Sequence, residues 1–460
     1  MEKQTIAIGV VTVIIMAVLA ALIPGTYMAV SAENYNNLGI QEYEKGNYEK
    51  AIEYFSKAIE LKPDYAEAYY NRGLAYLKTG SKYTAEGRKN LNNAIADFSK
   101  AIELKPNYVN AYYSRGLAKI AFIHFYDKPF SQKIEQLFES AIEDFKKSLS
   151  LDPEYYIAYA GLGNAYDLHG DFGKAIDAYE EALNHEDEIL KKWGKEALAN
   201  IYYSAGRAYH RIDRLNTVRE LYEKALELNP NHEITLGHLV SVYVEFKEFK
   251  KALDIANKCV SLKEAKKKLG MWDFHSWHSR GNVYYKLGMY EEALKDLNKA
   301  LELTEKWSFN PWMNSYFIPQ LYREIGSVYL KIGDEAKAKE YFEKTINATT
   351  KIIEQTPTPK FAYKAYLDRG LAYAELGEYE KAINDLIKSA ELAPKMPVGH
   401  DYYFVKGYQE AGTIYMKLGN YEKAKEYFEK ALKAIEEYEY DLPHLRGEIE
   451  KLLHQSENQI

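Results

Sequence analysis

A short segment recurs along most of this chain, and this repetition constrains the fold more than any other feature. The segment NRGLAYLKTG at 71–80 returns as DRGLAYAELG at 368–377, and SRGNVYYKLG at 279–288 is a close relative. A second apolar pattern with helical spacing follows, for example NAIADFSKAIELKP at 93–106. A single pair of helices cannot bury its whole apolar face, so stacked pairs complete the core. The pattern therefore predicts an all-α array in which each helix pair contacts only its neighbours.

The unit resembles the tetratricopeptide repeat (TPR), a 34-residue antiparallel pair of helices called A and B. In that family, positions 8 and 20 are small, while positions 4, 11 and 24 are large and fill the gaps beside them. Ten copies match in phase, with position 8 at Gly39, Gly73, Gly116, Gly163, Gly206, Val240, Gly281, Gly326, Gly370 and Gly412. Tyrosines at positions 4 and 11 account for much of the total of 43. The resemblance implies a right-handed TPR solenoid.

The predicted array occupies 32–440, as ten repeats at 32–65, 66–108, 109–155, 156–198, 199–232, 233–273, 274–318, 319–362, 363–404 and 405–440. Several repeats are longer than the family mean, and the extra residues keep helical spacing, which predicts longer helices rather than loops. In 441–460, an apolar stripe that includes Leu442, Leu445 and Ile449 predicts a C-terminal capping helix.

The N-terminal segment 1–31 is of a different kind. No charge lies between Lys3 and Glu33, and the apolar run from Ile6 to Ile23 would span about 27 Å as a helix, close to the hydrocarbon thickness of a bilayer. It predicts one transmembrane anchor, and Lys3 before it predicts repeats outside the cytoplasm. One alternative is a secretory signal cleaved near Ala32, because small residues precede that point. Another is a buried helix of the fold.

Two polar positions vary together among the repeats. Position 7 is arginine and position 23 is aspartate in the same four copies, which pair Arg72 with Asp97, Arg115 with Asp144, Arg280 with Asp296 and Arg369 with Asp385. The other six copies have neither residue. This co-occurrence predicts an ion pair between helices A and B of one repeat.

The concave wall of such a solenoid is lined by helix A, and the resemblance assigns positions 2, 5, 9, 12 and 13 to it. In repeats five to ten these positions are rich in lysine and arginine, whereas repeats one to four offer mostly acidic residues there. We therefore expect an acidic protein or peptide partner. The predicted partner-binding residues are Tyr203, Arg207, His210, Arg211, His278, Asn282, Tyr285, Lys286, Arg323 and Lys331. The alternative is that these bases only solvate the helix surfaces.

Catalysis and cofactor binding are not predicted. The chain has no phosphate-binding loop, nucleophile elbow or HExxH motif, and its single cysteine, Cys259, excludes a cysteine cluster. The net charge of −7 argues against nucleic-acid binding. The alternative function is a metal-dependent enzyme or accessory protein that uses His275 and His278, although zinc usually needs three or four ligands. The sequence therefore favours a membrane-tethered protein-interaction scaffold.

Overall fold

The computed structural model describes residues 31–80, 84–123, 132–266, 269–270, 272–307, 316–355, 362–394, 402–438 and 440–460. Within these ranges the chain forms 21 α-helices and no strand. It divides into two compact units after Ala165, and each is described separately. The predicted membrane segment at 6–23 lies outside the described residues. None of the helices within them is long and apolar enough to cross a bilayer.

The first unit contains three helix pairs and the start of a seventh helix that continues into the second unit. These helices are α1 (Ala32–Glu44), α2 (Tyr48–Leu61), α3 (Ala66–Gly80), α4 (Ala85–Leu104), α5 (Val109–Ile123), α6 (Gln132–Leu151) and α7 (Ile157–His169). The described part of the predicted lengthening is helical, since α4 and α6 have 20 residues each.

The second unit begins at Tyr166 and carries the remaining helices. They are α8 (Phe172–Leu183), α9 (Glu186–His210), α10 (Leu215–Leu228), α11 (Glu233–Glu245), α12 (Phe249–Glu264), α13 (Phe274–Lys286), α14 (Tyr290–Glu305), α15 (Ile318–Ile332), α16 (Glu335–Gln355), α17 (Tyr363–Glu375), α18 (Tyr379–Leu392), α19 (Tyr403–Lys417), α20 (Tyr421–Glu436) and α21 (Pro443–Glu457). The helix α9 has 25 residues and is kinked at Gly194, whose φ is 85°.

Close contact between helices A and B explains the glycines at position 8. A Cβ added to Gly39 would lie 2.5 Å from the ring of Phe55, and one added to Gly412 would lie 2.7 Å from Phe428. The aromatic ring at position 24 therefore fills the space that the missing side chain leaves. Repeat six reverses the arrangement, because it carries Val240 at position 8 and Ala256 at position 24.

All four predicted ion pairs between position 7 and position 23 are confirmed. The N···O distances are 2.8 Å for Arg72–Asp97, 2.6 Å for Arg115–Asp144, 2.5 Å for Arg280–Asp296 and 2.7 Å for Arg369–Asp385. Each guanidinium also donates through Nη1 to the preceding repeat, whose acceptors are Ser56, Ser99, Asn257 and Thr350 in turn. One arginine thus fixes the register of three helices.

The expectation that each repeat contacts only its neighbours is wrong for the second unit, whose C-terminal end returns to its first helices. The hydroxyl of Tyr402 donates to the carbonyl of His210 at 3.0 Å, and the backbone N–H of Leu445 donates to Oδ2 of Asp213 at 2.7 Å. The N–H of Gly173 donates to the Tyr440 hydroxyl at 3.1 Å. We call these three contacts the terminal closure. The residues in each contact are far apart in sequence, and coiling of the array brings them together.

Candidate functional site

The A helices of unit two form a wall. Polar contacts between side chains connect one helix A to the helix A of the next repeat. In each contact, position 5 of one helix A meets position 6 of the next. The hydroxyl of Tyr203 lies 3.3 Å from Nε2 of His238, Nε2 of His278 lies 2.7 Å from Oε2 of Glu324, and Nε of Arg323 lies 3.1 Å from Oδ1 of Asp368. In unit one, Asn71 donates to Asn36 in the same register at 3.0 Å. We call these contacts the rungs of the wall.

One end of this wall carries an arginine cluster, defined as Asp167, Arg207 and Arg211. Nη2 of Arg207 lies 2.5 Å from Oδ2 of Asp167, and Nε of Arg211 lies 3.9 Å from its Oδ1. The Asp167 side chain is only 3% exposed. Two guanidinium groups therefore face this one carboxylate. Oδ1 of Asp167 and Nε of Arg207 are buried, and neither has a hydrogen-bond partner among the described residues.

The imidazoles beside the cluster are neutral. Burial, together with the charges of Arg207 and Arg211, lowers the pKa of His238 to about 4. Burial and the neighbouring His238 and Arg211 lower the pKa of His210 to about 3. The predicted site residues Tyr203, Arg207, His210 and Arg211 thus do lie together, with His210 buried.

A second cluster surrounds Arg323, and its charges are balanced. Nζ of Lys364 lies 2.9 Å from Oδ2 of Asp368, while Arg323 contacts Oδ1 of the same carboxylate. Burial alone would raise the pKa of Glu324, but His278 and Arg323 lower it to about 2. The predicted residue Asn282 contacts His278 at 3.0 Å. The basic residue Arg323 therefore already has its acidic partner within the chain.

Among the described residues, the predicted bases differ in whether they have an acidic partner within the chain. Tyr285 is half-buried with its ring centroid 6.0 Å from that of Tyr290, and Lys286 and Lys331 are exposed at the ends of α13 and α15. These three belong to neither cluster in the described part of the chain. The expectation assumed that the bases face an open groove, whereas carboxylates of neighbouring repeats pair with Arg207, Arg211 and Arg323.

Sequence reasoning missed the acidic and histidine members of these clusters. His238, Glu324 and Asp368 all occupy position 6, which was not counted among the groove-facing positions. The sequence did contain a signal for these residues. Position 6 is polar in these repeats, while the adjacent positions 7 and 8 pack inside the repeat.

The two histidines of the alternative metal site have separate partners. The ring of His275 stacks on Phe274 with centroids 4.1 Å apart, and burial lowers its pKa to about 3. His278 bonds Glu324 and Asn282 as described. Within the described ranges, no group of three or more His, Cys, Asp or Glu side chains is arranged to hold a metal ion.

Comparison with known families is consistent with the helix pairs. Profiles described as "TPR repeat" or "Tetratricopeptide repeat" match residues 39–80, 83–120, 135–189, 199–232, 276–305, 319–349, 363–396 and 405–438. The chain belongs to the tetratricopeptide-repeat family. Proteins of this family generally mediate protein–protein interactions.

Individual relatives are distant. A TPR repeat-containing protein of Methanocaldococcus jannaschii is 25% identical over 78% of this chain, which spans 63% of that relative's length. Lipopolysaccharide assembly protein B of Escherichia coli is 24% identical over 42% of this chain and 46% of its own length. Among solved structures, the apo form of RapI aligns over 80% of this chain and 97% of its own, with a TM-score of 0.55 and 16% identity. The last likeness concerns the fold alone.

Proposed function

We propose that this chain is an interaction scaffold that holds a segment of a partner protein against the inner wall of unit two. The arginine cluster is the observation that carries this proposal. Its two guanidinium groups face one carboxylate, and the side chains of Arg207 and Arg211 are 32% and 21% exposed, so part of each can be reached by a ligand. A carboxylate of the partner would form charge-assisted hydrogen bonds with the exposed part of these guanidinium groups.

The location of the cluster suits an extended or helical segment. Arg207 lies on α9 at a groove-facing position, and the rungs from Tyr203 to Asp368 continue along the same wall. The ion pair with the carboxylate would fix where the segment sits, and the polar side chains of the rungs lie along the rest of its path. Binding should weaken with salt, since part of the affinity is an ion pair at a partly exposed site.

Selection of peptides from a random display library against the full chain tests this proposal. We expect enriched peptides to carry Asp or Glu, and Arg211→Gln to weaken their binding about tenfold or more. Lys286→Gln is the matched control, because it removes an exposed positive charge from the same wall outside the cluster. Enriched peptides without carboxylates that bind Arg211→Gln as tightly as wild type would overturn the proposed carboxylate site.

We further propose that the segment at 6–23 tethers this scaffold to a membrane by a single span, with the repeats outside the cytoplasm. An uncharged run of bilayer length and Lys3 before it support this proposal. Protease added to intact cells should digest the repeats, while the protein fractionates with membranes. Protection of membrane-bound protein would reverse the orientation, and recovery from the medium without residues 1–31 would instead indicate cleavage near Ala32.

A further inference from the structure

The rungs of the wall are interrupted at repeat six. By register, position 5 of α11 should meet position 6 of α13, which is Ser279. Position 5 is Gly237, and a Cβ added there would find no atom within 4 Å. Glycine inside a helix is less favourable than alanine because it loses more conformational freedom on folding. Close packing explains the position-8 glycines, but no packing contact explains Gly237.

A cavity occupies the place of the missing rung. Its volume is about 360 Å³, and Gly237, His238, Ser279 and Trp272 are among the residues that line it. Trp272 is 47% exposed and Ile234, also in the lining, is 57% exposed, so two large apolar side chains at this cavity are accessible to a ligand. The cavity therefore offers apolar walls to a ligand together with the hydroxyl of Ser279.

The charges at the rim are already paired with one another. Nζ of Lys263 lies 2.5 Å from Glu233 and 2.6 Å from Asp273, and Lys266 lies 3.0 Å from Glu233. The imidazoles of His238 and His275 are neutral because burial lowers their pKa values. A charged occupant would lose hydration without gaining a counter-ion, so an uncharged side chain is favoured.

Other repeats show which side chain fits such a place. Position 5 is tyrosine in repeats two, three and five, and each ring packs on the aromatic residue at position 24 of its own repeat. The ring centroids are 5.8 Å apart for Tyr70–Phe98, 5.7 Å for Tyr113–Phe145 and 5.9 Å for Tyr203–Tyr222. Repeat six lacks both rings, because Gly237 and Ala256 stand at those positions.

We infer that the cavity at Gly237 receives an aromatic side chain, best a tyrosine, from the partner segment and so completes the rung that this chain leaves open. This inference rests on the proposed function and names the partner's second anchor. The arginine cluster and the cavity are adjacent through the Tyr203–His238 rung. One segment can therefore place a carboxylate on the first and an aromatic ring in the second.

Filling the cavity from within tests the inference. In Gly237→Leu the new side chain occupies the space that the partner's ring would fill. Leucine also has a higher helix propensity than glycine, so the protein should stay folded. Gly447→Leu is the matched control, because Gly447 is also helical and its added Cβ would meet no atom within 4 Å, but it lies in α21. The probe is an aromatic-containing peptide selected on the full chain, and fluorescence anisotropy measures its affinity.

We expect Gly237→Leu to weaken this peptide about tenfold or more, and Gly447→Leu to bind it as wild type does. Replacing the peptide's aromatic residue by alanine should weaken binding to wild type but not weaken it further for Gly237→Leu. If Arg211→Gln weakens binding while Gly237→Leu does not, the cavity is not the anchor and the proposed function survives. If wild type selects no peptide at all, the proposed function fails, and this inference fails with it.

Discussion

Arg323 on α15 binds Asp368 on α17 with an N···O distance of 3.1 Å, and the Asp368 side chain is only 3% exposed. The pair links two successive helices A and forms a rung of the inner wall. A basic residue at a groove-facing position is therefore part of the structure of the wall, and its charge is not freely offered to an acidic ligand. A charge reversal at position 323 should therefore affect the stability of the fold.

Arg323→Glu is expected to destabilise unit two. The new carboxylate would face Asp368, which is buried, and breaking such a pair typically costs about 3–5 kcal/mol. Lys364 would compensate for part of the loss because it also contacts Asp368. Urea unfolding followed by circular dichroism should show a lower midpoint. Lys331→Glu on the same helix is exposed and should leave the midpoint unchanged; equal midpoints for the two variants would contradict the role of the rung.

Asp97→Ala is expected to cost more stability than the double change Arg72→Ala/Asp97→Ala. In the single variant the guanidinium keeps the Ser56 hydroxyl as a hydrogen-bond partner but loses its carboxylate, and its side chain is 20% exposed, so a poorly hydrated charge stays without a counter-ion. The double variant removes that charge. A double-mutant cycle on the free energy of unfolding measures the coupling, which we expect to be about 1–3 kcal/mol. If the losses of unfolding free energy in the two single variants add up to that of the double variant, Arg72 and Asp97 are not energetically coupled.

The repeats and the Arg–Asp pairs could be predicted because both depend on local register. Position 8 must be small where position 24 is aromatic, and position 7 reaches position 23 within one helix pair, so several copies in the sequence report each of these contacts. Contacts between repeats were harder to predict. Asp368 was missed because the contact between positions 5 and 6 depends on how one helix A is rotated against the next, and only some repeats carry polar residues there.

The terminal closure could not be predicted from the sequence. Tyr402 meets the carbonyl of His210 only because small rotations between repeats add up over the whole of unit two. A pattern that describes one repeat contains no information about that sum. The cavity at Gly237 was missed for a related reason, since a glycine in a helix is informative only when its neighbours in space are known.

Removing residues 441–460 is expected to loosen a distant turn as well as the C-terminal repeat. The truncation deletes Leu442 and Ile449, which are fully buried, and the Leu445 N–H that binds Asp213. Hydrogen exchange should therefore accelerate at the turn between α9 and α10, as well as in α20. Removing only 458–460 is the control and should change neither region. Unchanged exchange at the α9–α10 turn in the longer truncation would show that the closure does not stabilise it.

Stability is expected to fall on acidification from pH 7 to pH 5 because three histidines are held neutral in the folded chain. Burial lowers the pKa of His210 and His275 to about 3 and that of His238 to about 4, whereas an unfolded histidine titrates near 6.5. Between these values the unfolded state binds more protons than the folded state, so the free energy of unfolding increases with pH. The loss begins as the pH falls through 6.5 and amounts to about 2 kcal/mol per histidine by pH 5.

The replacement His238→Gln tests the origin of that pH dependence. Glutamine does not titrate, so the slope of unfolding free energy against pH between 6.5 and 5 should decrease by roughly one proton, about 1.4 kcal/mol per pH unit. His454→Gln, at an exposed position of α21, should keep the wild-type slope. Urea midpoints measured at half-unit steps of pH give both slopes. If His238→Gln and His454→Gln both have the same slope as wild type, protonation of His238 is not coupled to folding.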